Sequence, residues 1–188
     1  MRDRPYRFTL GAFECMVFND YQQQYDYDTL ADNLSAEQLA RTLASQGIQG
    51  IQTTMDYNVL LVETREHTVL VDSGIRGGAL PKQLQAAGIA PVDIDLIYLT
   101  HADGDHASGL ADEKGNPDYP NARIVMWQNM WDLWSAENAL VENQSAPEYF
   151  IRYVVPVIKE RVETVALDTE FLPGFQTIFG RGHSAGHS

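Results

Sequence analysis

Four potential metal ligands lie within a stretch of six residues: His101, Asp103, Asp105 and His106. An apolar run at residues 94–99, interrupted by one aspartate, leads directly into this stretch and predicts a short buried strand. The Asp-Gly-Asp triplet inside the stretch predicts a turn. The four side chains are therefore expected on a loop just beyond the end of a strand, where α/β proteins commonly carry binding and catalytic residues.

The spacing of these residues indicates which of them could share a metal ion. His101 and Asp103 are two positions apart, so in extended backbone their side chains point to the same side and could bind one ion. Asp105 and His106 follow the turn and could bind a second ion beside the first. Imidazole suits zinc, iron, nickel and copper, whereas a carboxylate shifts the preference towards manganese, iron or magnesium. This mixed set favours a hydrolytic or oxygen-handling site over a structural zinc site, which is usually rich in cysteine.

The stretch resembles the H-x-H-x-D-H metal-binding motif of the metallo-β-lactamase superfamily. His101, Asp105 and His106 occupy three of its four ligand positions. The fourth position is occupied by Asp103, where the family usually has histidine. The carboxylate adds negative charge to the site and favours a harder metal ion.

Two further segments carry the same resemblance. Residues 182–188 are similar to the family's G-H-T-P-G-H-S segment, whose last histidine is a ligand. The resemblance assigns that role to His187 and leaves His183 as a supporting residue. Residues 69–74 are similar to the strand and turn that precede the metal loop, which implies that Asp72 orients a ligand imidazole by hydrogen bonding. The alternative is an aspartate that only begins a turn.

The resemblance implies a metal-dependent hydrolase with two divalent metal ions. His101, Asp103 and His187 would hold the first ion, and Asp105 and His106 would hold the second. Asp105 would also be the catalytic residue, because its carboxylate would orient a metal-bound hydroxide and take up its proton. Zinc is the expected metal, with iron or manganese as alternatives because of Asp103. The expected substrate is a small ester, lactone or related molecule.

Two other functions stay open at this point. Flavodiiron oxygen reductases share the fold that the resemblance implies and carry an acidic residue at the position of Asp103, so a di-iron redox module is the second hypothesis. The third hypothesis is a catalytically inactive fragment that serves as an interaction module. It is based on the end of the chain, which comes one residue after His187 and before the later aspartate and histidine ligands of the family.

The resemblance also implies the fold. The family fold is an α/β, four-layer αβ/βα sandwich with mixed sheets, built from two similar halves. Residues 1–188 are expected to form a single metallo-β-lactamase-like domain that is incomplete at its C-terminus and lacks most of the second half. An uncovered apolar sheet face or edge would then be exposed, which could lead to self-association.

Composition excludes several classes of partner. The chain has 13 Lys and Arg residues against 26 Asp and Glu residues, and the net charge of −13 disfavours binding to nucleic acid. No apolar run approaches the roughly 18 residues that span a membrane, and the N-terminus lacks the apolar core of a secretory signal. A cytoplasmic protein with a small-molecule substrate is expected. The single cysteine, Cys15, cannot form an internal disulfide and is expected in the core.

The rest of the pattern predicts the elements that lead to the site. Residues 6–18 indicate one or two opening strands, which Asn19 and Asp20 are expected to end. The tyrosine-rich residues 21–28 are interpreted as an irregular loop, with surface tyrosines favoured over tyrosines that line a substrate entrance. Ser35, followed three residues later by Gln38, predicts a capped helix start.

Overall fold

The computed structural model describes residues 4–31, 33–142 and 147–188. Seven strands form its main sheet in chain order: Tyr6–Leu10 (β1), Phe13–Asp26 (β2), Gln52–Glu63 (β3), Thr68–Val71 (β4), Leu96–Leu99 (β5), Arg123–Trp127 (β6) and Val162–Val165 (β7). Pairing is antiparallel from β1 to β4 and parallel from β4 to β7. Glu170–Leu172 (β8) and Phe175–Gln176 (β9) form a separate hairpin. The mixed sheet confirms the predicted α/β class.

The helices are short and mostly follow the parallel strands. They are Tyr27–Leu30 (α1), Ala36–Ser45 (α2), Leu80–Ala86 (α3), Gly104–Ala107 (α4), Gln128–Ser135 (α5), Ala139–Glu142 (α6) and Val155–Ile158 (α7). A π-helical turn, Phe150–Val154, leads into α7, and 3₁₀ turns lie at Pro91–Asp93, Ser108–Leu110 and Lys159–Arg161. Among these described residues, no helix has the length and apolar character needed to cross a membrane.

Each face of the main sheet packs against a different apolar layer. Met16, Phe18 and Leu61 face the helices, where they join buried side chains of α3, α5 and α7. Cys15 and Val62 face the opposite side, where the β8–β9 hairpin packs against the sheet. All four residues of β5 are buried, as expected for a parallel strand covered on both faces. β5 is therefore an interior strand that is covered on both faces, and it positions residues 100–106, the predicted metal loop, which follow it.

The capped helix predicted at Ser35 is confirmed. The backbone N–H of Gln38 donates to the Ser35 hydroxyl oxygen at 3.3 Å, and the N–H of Ser35 donates to the Gln38 side chain at 2.9 Å. This reciprocal pair satisfies two donors that would otherwise lack partners at the helix start. The local signal was sufficient because both partners lie within three residues.

The prediction that β2 ends at Asn19 and Asp20 was wrong, and so was the irregular loop at residues 21–28. The strand continues to Asp26 through a β-bulge. Phe18 pairs with Val59, whereas Tyr21 pairs with Tyr57, so three steps along β2 match two along β3. Because of the extra residue, odd-numbered residues after the bulge lie on the same face of the sheet as the even-numbered Phe18 before it.

The bulged residue, Asp20, has a structural role that its sequence position did not reveal. Its side chain is fully buried, and its two carboxylate oxygens accept the backbone N–H groups of Ile75 and Leu80, each at 2.7 Å. Burial raises the pKa of this carboxyl, although the backbone donors oppose that shift. Asp20 therefore ties the bulge to the loop that follows β4.

Candidate metal centre

The predicted metal loop follows β5, as the sequence indicated. His101 and Asp103 lie on the loop itself. The predicted turn continues into the single helical turn α4, which starts after Asp103 and carries Asp105 and His106. The backbone N–H groups of His106 and Ala107 both donate to the carbonyl oxygen of Asp103, at 3.0 and 2.9 Å. The loop therefore presents one pair of ligands in extended backbone and the other pair from a helical turn.

The glycine- and histidine-containing end of the chain lies against this loop. The backbone N–H of Ser188 donates to the Thr100 carbonyl oxygen at 3.0 Å, and the hydroxyls of Ser188 and Tyr98 lie 2.8 Å apart. The rings of His183 and His187 approach that of His101, with centroid distances of 4.6 and 4.8 Å. Two of the three sequence segments that carried the resemblance thus meet at one place.

Asp72 connects the loop to the neighbouring strand. Its Oδ1 accepts the Thr100 backbone N–H at 2.8 Å, and its Oδ2 accepts the His106 Nδ1–H at 2.7 Å. The Thr100 hydroxyl lies 3.0 and 2.9 Å from the two carboxylate oxygens, to one of which it donates. Asp72 is only 5% exposed. This network is what the supporting role predicted for Asp72 requires, and an aspartate that merely began a turn would not form it.

Hydrogen bonds at Nδ1 fix the orientation of three imidazoles, two of them through the Asp72 network and the third through the Gly180 carbonyl. Because the Thr100 hydroxyl donates to Asp72, its oxygen accepts the Nδ1–H of His101 at 2.9 Å. His106 donates its Nδ1–H to Asp72, and His187 donates its Nδ1–H to the Gly180 carbonyl at 2.9 Å. In each ring the hydrogen bond at Nδ1 sets the orientation and makes Nε2 the nitrogen that could bind a metal; in His106 this atom lies 3.1 Å from Oδ2 of Asp105. A divalent ion therefore fits this set of donors.

Glycine is required at two of these close approaches. A Cβ atom at Gly109 would lie 2.1 Å from the carbonyl oxygen of Ser73, whose own N–H donates to the His106 carbonyl at 2.7 Å. A Cβ atom at Gly180 would lie 2.7 Å from Nδ1 of His187. Sequence reasoning missed Ser73, Gly109 and Gly180, because their partners are distant in sequence or have no motif of their own.

The structure also brings His183 closer to Asp103 than the sequence indicated. Nε2 of His183 lies 3.0 Å from Nε2 of His101 and 3.3 Å from Oδ2 of Asp103. The distance from His101 Nε2 to the same carboxylate oxygen is 3.6 Å. Among the described residues, His101, Asp103 and His183 offer atoms that all lie within 4.8 Å of one another, a spacing that one ion could bridge. His183 and His187 are thus rival candidates for the third ligand.

Separate alanine substitutions should decide between them. We expect His187→Ala to weaken zinc binding by more than about a hundredfold and His183→Ala by only about tenfold, because removal of a ligand should exceed the effect of removing a supporting group. His187 has its Nδ1 held by Gly180, whereas the His183 side chain is 57% exposed. Titration against a chromophoric chelator measures both affinities. The reverse order would identify His183 as the ligand.

The imidazoles of the metal loop differ strongly in proton affinity. Burial, together with the neighbouring imidazoles of His106 and His183, lowers the pKa of His101 to about 3. Burial would also lower the pKa of His106, but hydrogen bonds to Asp105 and Asp72 hold that pKa at about 10. Nε2 of His106 lies 3.1 Å from Oδ2 of Asp105. His101 is therefore ready to bind a metal at neutral pH, whereas His106 must first lose a proton.

This difference makes metal binding depend on pH. We expect zinc affinity of the metal-free protein to rise between pH 6 and pH 8, by up to about tenfold per pH unit for the ion that His106 binds. The affinity rises with pH because the pKa of His106 is about 10, so this imidazole is positively charged throughout that range and must release a proton to bind the ion. Calorimetry in buffers of different ionisation enthalpy should show proton release. An affinity independent of pH would contradict this assignment of His106.

Comparisons with known proteins extend these observations. Residues 53–188 match the model of the metallo-beta-lactamase superfamily. Ribonuclease Z of Pyrococcus furiosus is 33% identical over 86 residues, which are 46% of this chain and 24% of that protein. N-acyl homoserine lactonase of Bacillus cereus is 26% identical over 152 residues, with 68% of this chain and 54% of the lactonase covered. The chain thus spans about half the length, or less, of these curated relatives.

Solved structures show the same likeness at the level of the fold. The dizinc quorum-quenching lactonase AidC superposes with a TM-score of 0.75 at 24% identity, with 90% of this chain and 64% of that chain covered. The hydrolase AbOPH, of the beta lactamase superfamily, superposes with a TM-score of 0.81 at 23% identity, with 98% and 68% covered. The predicted fold class is confirmed, and the chain matches only part of each of these structures.

Proposed function

Because the chain belongs to the metallo-beta-lactamase superfamily, we propose that it acts as a metal-dependent hydrolase with a binuclear site. His101 and Asp103 would hold the first metal ion together with a histidine of residues 182–188, and the hydrogen bond at its Nδ1 favours His187. Asp105 and His106 would hold the second ion. The observation that carries this proposal is the set of imidazoles on the loop and on residues 182–188, whose Nδ1 atoms are held by hydrogen bonds so that Nε2 is the nitrogen that could bind a metal.

In hydrolysis, the bound metal ions and Asp105 would have different roles. A bound divalent ion lowers the pKa of a water ligand to near neutrality and polarises a carbonyl oxygen. Asp105 lines a pocket beside the loop, and its carboxylate would orient the attacking water and accept its proton. Burial would raise the pKa of Asp105, but the hydrogen bond with His106 outweighs it and the pKa is lowered, so the carboxylate is ionised at neutral pH.

The proposed substrate is a small ester or lactone. The pocket beside Asp105 has a volume of about 360 Å³, which suits a small molecule. The net charge of −13 disfavours polyanionic substrates. The lactonase relatives support an ester-type bond, since hydrolysis of a lactone and of an open-chain ester use the same attack on a carbonyl.

Hydrolysis of a γ-lactone and of a 4-nitrophenyl ester, measured with protein stripped of metal and then reloaded with zinc, manganese or iron, tests this proposal. We expect turnover that disappears with the metal and returns on reloading, and elemental analysis should find up to two ions per chain. Turnover that survives complete removal of metal would contradict the proposal. So would reloaded protein with two bound ions that hydrolyses neither substrate class.

Asp103 favours one second candidate, a di-iron redox module. Two imidazoles and one carboxylate, from His101, Asp103 and His183, lie near a single point and form a ligand set that suits iron. This candidate predicts that protein purified without added metal contains iron and consumes dioxygen in the presence of a reduced flavin. Zinc-loaded protein that hydrolyses esters, with no dioxygen consumption by the iron-loaded form, would exclude it.

A further inference from the structure

A pair of tyrosines lies over the pocket that adjoins the metal loop. Tyr25 comes from the extension of β2 beyond the bulge, and Tyr57 comes from the facing part of β3. Both residues line the pocket that Asp105, Ile75 and Tyr149 also line. The bulge at Asp20 is what brings Tyr25 to this face, since without the extra residue the alternation would turn it to the other side of the sheet. Tyr25 thus lines a pocket, whereas the sequence alone favours surface tyrosines in this stretch.

The two phenol hydroxyls are hydrogen-bonded to each other. One hydroxyl donates and the other accepts, so the accepting hydroxyl still has its own proton to donate. Within the described part of the chain, neither hydroxyl has another hydrogen-bond partner. The pair therefore offers one O–H donor that no protein acceptor in the structure uses.

The other hydroxyl groups that line the pocket already donate hydrogen bonds to backbone carbonyl oxygens. The Tyr149 hydroxyl donates to the Ala111 carbonyl oxygen at 3.1 Å, and the Ser108 hydroxyl donates to the Gly104 carbonyl oxygen. Burial raises the pKa of Tyr57, and the hydrogen bond to Tyr25 and the negative charge of Asp105 act in the same direction. Tyr57 therefore stays protonated at neutral pH and keeps its capacity to donate. Among the described hydroxyl groups that line the pocket, those of the tyrosine pair therefore retain one O–H that can donate to a ligand.

We propose that the Tyr25–Tyr57 pair binds an acceptor oxygen of the substrate next to the scissile carbonyl, and so selects esters that carry such an oxygen over those that carry a methylene group. The inference rests on the proposed hydrolase function. The aromatic rings of Tyr25, Tyr57 and Tyr149 would form the apolar wall around the bound group. A neutral hydrogen bond in a partly buried site contributes modestly to the free energy of binding. The pair would therefore affect which ester is preferred, whereas the metal ions would carry the hydrolysis itself.

Matched substrates isolate this hydrogen bond. 4-Nitrophenyl methoxyacetate and 4-nitrophenyl butyrate have acyl groups of nearly equal size, and an ether oxygen in the first replaces a methylene in the second. We expect the double variant Tyr25→Phe/Tyr57→Phe to lower kcat/KM for the methoxyacetate by about 3- to 10-fold and to leave the butyrate within about twofold, as expected for one neutral hydrogen bond. At least one of the two single variants should reproduce the loss. Equal effects on the two esters would overturn the proposal.

Binding of unreactive analogues separates this inference from the proposed activity. The corresponding 4-nitroanilides, of methoxyacetic and butyric acid, can be titrated by tryptophan fluorescence whether or not the protein hydrolyses esters. We expect the wild type to prefer the methoxy compound and the double variant to lose that preference. Tyr21→Phe is the control, because Tyr21 packs on the Tyr57 ring at 5.8 Å without joining the hydroxyl pair. A wild type without any preference would refute the inference even if the hydrolase proposal holds.

Discussion

His101→Ala is expected to lose the first metal ion and about a thousandfold in hydrolysis of the ester and lactone substrates. The side chain is only 2% exposed and lies closest to both histidines of residues 182–188. A factor of a thousand corresponds to about 4 kcal/mol, which is within the several kcal/mol of charge stabilisation that a metal ion supplies to a transition state. Elemental analysis of protein purified without added metal, together with initial rates, measures both effects.

The control for this variant is His67→Ala. His67 lies in the turn between β3 and β4, away from the loop that follows β5, and its backbone N–H and carbonyl form hydrogen bonds with Thr64. Its substitution should leave the metal content unchanged, and it therefore shows whether removal of any imidazole lowers metal content. Wild-type metal content in His101→Ala would refute the proposed ligand set. Loss of metal from both variants would show that the comparison reports on folding instead of ligation.

Asp72→Ala is expected to destabilise the protein by about 3–5 kcal/mol and to weaken metal binding by about 10- to 100-fold. The substitution leaves the Thr100 N–H and the His106 Nδ1–H without their acceptor, and both lie in a largely buried network. Each unsatisfied buried donor costs about 1–3 kcal/mol. Asp72 also has a φ of 65°, where alanine is strained by about 1–2 kcal/mol. Urea unfolding and zinc titration measure the two effects.

Two further variants separate the causes. Asp168 is the other described non-glycine residue with positive φ, at 56°, and it is exposed, so Asp168→Ala estimates the backbone strain without the network. Asp72→Asn tolerates the left-handed backbone and keeps one acceptor oxygen, so it should unfold at higher urea concentration than Asp72→Ala while still binding metal more weakly than the wild type. Equal losses in Asp72→Ala and Asp168→Ala would mean that the network contributes nothing to stability.

Features with a local cause were predictable from the sequence. The strand before the metal loop, the positions of its four potential ligands and the capped start of α2 depend on residues within a few positions of one another. The wrong prediction at Asn19 and Asp20 has an equally plain origin. Polar residues usually end a strand, and only the buried N–H groups of Ile75 and Leu80, more than fifty positions away, make a buried carboxylate favourable in a bulge.

The sequence by itself determined the chemistry that is present: a His/Asp ligand set of the metal loop, a second pair of histidines, and a supporting aspartate. The tertiary structure decided how those groups meet. His101 and His183 are 82 positions apart, and His106 and Asp72 are 34 apart, so no local periodicity specifies their distances or the tautomers that their hydrogen bonds select. The bulge that turns Tyr25 to the pocket is likewise specified by contacts from another loop. Spacing along a chain fixes directions over a few residues, whereas the approach of distant segments depends on the packing of the whole sheet.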